Sequence, residues 1–251
     1  MTILDNPAGL AAIFIAISLG SIVKGATGAG TPVVAVPVIA AFFDIRLGVA
    51  IMAVINVFSN LWQVWQFRDE MLDRRFTLTL VVGAAVGTVL GTLLLVELPE
   101  RVLGLLIAAA VIFYIALRLL SPSFKLDQAR AFRLAGPMSV LAGVMQGATG
   151  ISAPITVAFV NAMRLARPVF VFTVSCFFGG MAVVQVPVLW IVGILTWESL
   201  LVGLVGLVPM TLFMMLGERI SRRLSPKAFD RVILVFLSLL ATRLIYGAIF
   251  T

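Results

Sequence analysis

The sequence predicts an all-α polytopic membrane protein made of two inverted-topology repeats, each a short broken or re-entrant helix pair followed by three transmembrane helices. Three observations predict it. Of 251 residues, 62% are hydrophobic and only 12% are charged, and mean hydropathy is +1.17, which is more apolar surface than one core could hide in water. The apolar residues fall in runs of roughly 20, long enough to cross ~30 Å of hydrocarbon as helix at ~1.5 Å per residue. Finally, "KGATGAGTP" at residues 24–32 returns as "QGATGISAP" at 146–154, an offset of 122 positions.

In chain order, the first apolar run spans Gly9 to Val23. Asp5 is the only charge before Lys24, so the run lacks the basic leader of a signal peptide and is expected to be retained. It pairs with a second run at 32–43, and 132–145 pairs likewise with 153–163; the members of each pair look too short to cross comfortably and are joined only by the glycine-rich motif. Runs at 46–67, 76–96 and 100–120 complete the first half, and runs at 168–192, 198–217 and 228–249 complete the second. The expected organisation is a first repeat over 1–121, a cytoplasmic linker over 122–131 and an inverted second repeat over 132–251.

Loop charges orient these runs, since Lys and Arg accumulate on the cytoplasmic side. Arg68, Arg74 and Arg75 mark one inner loop, Lys125, Arg130 and Arg133 a second, and Arg219, Arg222, Arg223 and Lys227 a third. The turns at Glu97–Arg101 and Thr196–Glu198 carry little positive charge and are placed outside. Corresponding loops of the two halves therefore lie on opposite sides, and the halves are inverted. Residues 9–43 then begin and end outside, and 132–167 begin and end inside, with Arg46 and the pair Arg164 and Arg167 at the exits. Inverted repeats with Gly/Pro-interrupted short segments at matching places point to a transporter site at the midplane.

Non-helical backbone is tolerated at membrane depth only inside protein or beside water, which puts both motifs inside the bundle. Gly25, Gly28, Gly30, Gly147 and Gly150 would let the chain turn through positive φ and bring amides near a ligand. Gly30 or Thr31, and Ser152 or Ala153, stand at the cap position before Pro32 and Pro154. Two helix N-termini of roughly +0.5 charge each, with Lys24, would place about +2 at one point. That is an anion site. The expected substrate-binding set is Lys24, Gly25, Ala26, Thr27 and Gly28 with Gln146, Gly147, Ala148, Thr149 and Gly150. Asn56, Asn60 and Gln63 join it from one face of the following span, beside Ser59; Gln185 joins from the counterpart span, which also carries Thr173 and Ser175. Competing readings stay open: the glycines could serve close helix packing, the amides could bond helix to helix, and Lys24 could snorkel to an interface. Trp62 and Trp65 read as an interfacial belt.

Absences narrow the chemistry. There is no histidine, Cys176 stands alone, and each carboxylate falls at the end of a span. No metal or cofactor site, nucleophile–base pair or proton relay is expected, and the protein is not expected to be an enzyme. The excess of 18 basic over 11 acidic residues belongs to cytoplasmic loops rather than to a nucleic-acid surface.

The paired GATG motifs, each followed by proline and each opening one half of a chain of this length, resemble the TauE/SafE family of sulfite and organosulfonate permeases, over nearly the whole chain. The resemblance implies a permease for a small sulfur oxyanion or sulfonate, of the sulfite, thiosulfate, sulfoacetate and isethionate class, in a bacterial inner membrane with lipid around it. Alternatives are a cation-coupled carboxylate or small-anion transporter using the same broken helices, and a non-transporting membrane subunit.

Overall fold

The computed structural model describes residues 3–120 and 125–221. After a 3₁₀ turn at Ile3–Asp5, ten α-helices follow among the described residues: α1 (Pro7–Thr27), α2 (Thr31–Phe42), α3 (Ile45–Gln66), α4 (Arg74–Glu97), α5 (Glu100–Leu120), α6 (Gln128–Thr149), α7 (Ala153–Ala162), α8 (Arg167–Ile191), α9 (Trp197–Val205) and α10 (Leu207–Ser221). No strand occurs among the described residues. The expected last span at 228–249, with Arg222, Arg223 and Lys227, lies outside them.

Helix boundaries follow local chemistry. Asp44, Asp73 and Asp127 are N-caps, accepting from the amides of Leu47, Phe76 and Arg130, so three of the carboxylates expected at span ends begin helices. The run read as one span at 198–217 is divided at Gly206. Pro209 has no N–H for the Val205 carbonyl, and its ring crowds that carbonyl, so α9 stops there. The paired short segments also differ from expectation. Only α2 and α7 are short, at 12 and 10 residues, whereas α1 and α6 have 21 and 22 and run on through most of each motif. Alanine, threonine and a single glycine do not end a helix; the left-handed glycine after them does.

Among the described residues, five segments are long and apolar enough to cross a membrane: α1, α3, α4, α8 and the run from α9 into α10. On α4, Leu78, Val82, Val86, Leu90 and Leu93 are exposed while Leu80, Ala84, Gly87, Gly91 and Leu95 on the other side are buried. A helix apolar all round, with large aliphatics outward, faces lipid. The chain is a multi-pass membrane protein.

Packing crosses between the halves of the sequence. α4 lies along α6, and α1 along α10. Gly87 and Gly91 of α4 lie against the carbonyls of Val140 and Val144, while Gly143 and Gly147 of α6 lie against those of Ala84 and Thr88. In the same way Gly217 of α10 meets the Ile22 carbonyl and Gly25 of α1 the Met214 carbonyl. A Cβ at any of these glycines would collide with backbone, so each motif helix is held backbone to backbone by a span of the other half. In the middle, α3 packs on α8. One apolar cluster is built mainly from α1, α2 and α3, and the other mainly from α4, α6, α7 and α8.

Arg68, Arg74, Arg75, Arg130, Arg133 and Arg167 stand at one end, near the starts of α4, α6 and α8. Phe76 and Phe132 stack there, 4.5 Å apart, next to Arg74, Arg75 and Arg133, and a cleft at that end joins Phe67 to Arg167 and Glu218. At the opposite end Arg46 donates to the carbonyls of Leu95, Val96 and Leu98 at 3.0–3.3 Å. Its guanidinium thereby satisfies the carbonyls at the C-terminus of α4.

Candidate functional site

The two motifs fold alike. α1 ends at Thr27, Gly28 takes φ +85°, and its N–H bonds the Lys24 carbonyl at 2.7 Å. α6 ends at Thr149, Gly150 takes φ +71°, and its N–H bonds the Gln146 carbonyl at 2.7 Å. Three residues later α2 and α7 begin, each with proline in its first turn. The caps differ: Gly30 has φ +124°, whereas Ser152 stays in the right-handed region at φ −116°.

Between the loops lies a cavity of about 10 Å³, room for about a single water. Lys24, Ala29, Gly30, Pro32, Val33 and Asn56 line it from the first half, and Gln146, Ile151, Ser152, Ala153 and Phe178 from the second. The N-terminal residues of α2 and α7 face it, whereas the capping residues Gly28 and Gly150 at the C-termini of α1 and α6 do not. The positive ends of α2 and α7 therefore face the cavity, beside Lys24 and Gln146 from the last turns of α1 and α6.

Lys24 is 2% exposed, and its Nζ donates to Ser59 Oγ at 3.0 Å and Asn60 Oδ1 at 2.6 Å. Asn60 in turn donates to the Asn56 carbonyl on its own helix at 2.8 Å. Lys24 points into the bundle, so it does not snorkel. In the second half Gln146 occupies the matching place and bonds the following span in the same way: its Nε2 donates to Gln185 Oε1 at 3.3 Å, and Gln185 Nε2 donates back to the Gln146 carbonyl at 3.3 Å. Ser152 Oγ donates to Gln146 Oε1 at 2.8 Å. Among the described residues, Lys24 is the only ionisable side chain on the cavity wall.

The structure thus brings Lys24, Asn56 and Gln146 to one cavity, with Asn60 and Gln185 directly behind. Gln63 lies apart, in the cleft at the basic end with Gly25 and Gly28. The rest of the expected set takes other positions. Gly25 and Gly147 have helical backbone and serve the close packing described above. Gly150 faces Val36 and Val49, whose methyls would lie 3.2 Å from an added Cβ. Thr149 Oγ1 bonds the Met145 carbonyl at 2.7 Å, Ala148 is buried beside it, and Ala26 and Thr27 form the last turn of α1. Thr173 bonds back to Val169 within α8, and Ser175 Oγ donates to Gln63 Oε1 at 3.2 Å. Ser152 and Phe178 are cavity residues that the candidate set did not include. The 122-residue offset, applied to Gly30 and Asn56, leads to both positions.

A family model described as sulfite exporter TauE/SafE matches residues 12–244. The chain belongs to that family. It is a family of membrane transporters, consistent with a multi-pass chain and a small-anion substrate. No curated protein and no solved structure matches the sequence. Among the described residues of this TauE/SafE member, no cluster of three or more His, Cys, Asp or Glu side chains could hold a metal ion.

Proposed function

We propose that the protein is a permease for a small sulfur oxyanion or organosulfonate, of the sulfite, thiosulfate, sulfoacetate and isethionate class, moved across a bacterial inner membrane through the cavity between the two GATG loops. One observation carries the reading: residues at matched places in both motifs line a single cavity whose sole ionisable group among the described residues is Lys24. A buried cation with two positive helix ends and amide donors beside it favours an anion with several acceptor oxygens. The inverted repeat is part of the proposal. It is supported by the like turns at Gly28 and Gly150, and by the reciprocal packing of α4 on α6 and α10 on α1. At about 10 Å³ the cavity is smaller than any of these anions, so the conformation described is closed around the site, and binding requires the loops to part.

Calorimetry on purified protein tests this with sulfite, thiosulfate, sulfoacetate, isethionate, taurine and the carboxylate analogues. Anionic sulfonates or sulfur oxyanions are expected to bind, and zwitterionic taurine to bind more weakly. Lys24→Met should lower affinity for all the anions together by about 10- to 100-fold, the worth of a hydrogen bond to a charged group. Equal affinity in wild type and Lys24→Met would remove Lys24, and with it this reading of the cavity.

A further inference from the structure

A second and larger cleft, of about 230 Å³, opens at the basic end of the bundle where α3 ends and α8 begins. Gln63, Gln66, Gly25, Gly28 and Arg167 line it, and so does Glu218, which has an interaction of its own. The cleft and the inner cavity touch consecutive residues of α1, Gly25 on one side and Lys24 on the other. They also touch one polar face of α3. Asn56 lines the cavity and Gln63 the cleft, and Asn60 between them accepts from Lys24. Gln63 is 7% exposed; its Oε1 accepts from Ser175, and its Nε2 has no hydrogen-bond partner among the described residues. Helix-to-helix bonding accounts for Gln63 and Ser175. Asn60 joins α3 to α1 through a charged group: its side chain bonds its own helix and Lys24.

We propose that this face of α3 is the permeation route: the anion enters by the cleft, is received by the Gln63 amide, and reaches the cavity by replacing Asn60 and Ser59 as the acceptor of Lys24. The inference rests on the cavity being the anion site. Lys24 closes the route while it is held to α3, and the arriving oxyanion releases it, because an anionic oxygen accepts from an ammonium more strongly than a neutral amide or hydroxyl does. The lysine is partnered at every stage, as a charge at this depth must be. The release also explains how so small a cavity can admit an anion: the bonds that hold Lys24 to α3 are the ones that must break.

The test uses the full-length protein in membrane vesicles of both orientations, with Cys176→Ser as background and single cysteines at Gln66→Cys and Asn56→Cys. The probe is the negatively charged thiol reagent 2-sulfonatoethyl methanethiosulfonate. Gln66→Cys should react rapidly from the face that carries Arg68 and Arg167, and Asn56→Cys slowly from that same face. Adding Asn60→Ala should speed the Asn56→Cys reaction by about tenfold, as loss of one hydrogen bond to a charged group implies, and leave Gln66→Cys unchanged. If Asn60→Ala disturbs Gln66→Cys as well, Ser59→Ala, which removes the other acceptor, decides with the same expectation. Reaction of Asn56→Cys from the opposite face alone, or at a rate indifferent to both substitutions, overturns the route. The labelling does not depend on anion affinity. An unlocked route in a protein that binds no anion would condemn the proposed substrate class and keep the path; normal anion binding with an indifferent labelling rate would do the reverse.

Discussion

At the scale of single residues, the glycines of the two motifs divide into kinds that look identical in sequence. Gly28, Gly30 and Gly150 have positive φ and end or begin helices. Gly25 and Gly147 are helical, and lie where a side chain would strike the backbone of the other half. The distinction has a measurable sign. In Gly147→Ala the new methyl meets the Thr88 carbonyl and Thr92 amide, which cannot rotate away, so thermal unfolding in detergent should show a loss of about 1–3 kcal/mol. Gly179→Ala on α8 meets nothing nearer than the Asn60 Cβ at 3.7 Å, an ordinary contact, and should be neutral or gain up to about 1 kcal/mol from helix propensity. Equal effects at the two positions would mean that α4 and α6 are not in backbone contact.

At the scale of elements, the motif is an asymmetric hairpin with a long first arm and a short second arm. The long arm is what delivers Lys24 to Ser59 and Asn60, because a helix ending at Val23 would leave the lysine in a loop. The arms also set the direction of every later span. With Arg68, Arg74, Arg75, Arg130, Arg133 and Arg167 at one end, we propose from the rule for basic loops that this end faces the cytoplasm. Single cysteines at Asp73 and Thr196, in the Cys176→Ser background, should therefore differ in intact cells. An impermeant thiol reagent is expected to label the Thr196 position and spare Asp73. Comparable labelling at both would refute the inverted arrangement.

At the scale of the whole molecule, the two halves are not separable bodies. α4 needs the small residues of α6 to bury Gly87 and Gly91, and α10 needs α1 in the same way. The cavity lies between the halves, and among the described residues its wall offers no carboxylate and only one ionisable group. A strong-acid sulfonate such as isethionate is therefore expected to move without an obligatory proton. In proteoliposomes with the membrane potential clamped, its flux should be nearly the same with and without an imposed pH gradient. Uphill accumulation driven by that gradient alone would show a relay, and Lys24 would be the residue to substitute first, ahead of the carboxylates at the helix ends.

Much of this was legible in the chain. Apolar run length and composition dictate membrane-crossing helices, because no other use of so much apolar surface is stable in water. Aspartates before the helices mark their starts, and the repeat at residues 24–32 and 146–154 marks two equivalent turns, since glycine and proline act through local backbone geometry. Recognition of the family needed only those motifs and their spacing. What the sequence alone could not decide was which residues meet. The packing role of Gly25 and Gly147, the partners of Lys24, the place of Ser152 and Phe178 on the cavity wall, and the separation of Gln63 into a cleft of its own depend on how α4, α8 and α10 pack around the motif helices. These are contacts between residues 35 to more than 100 positions apart, and local periodicity carries no information about them.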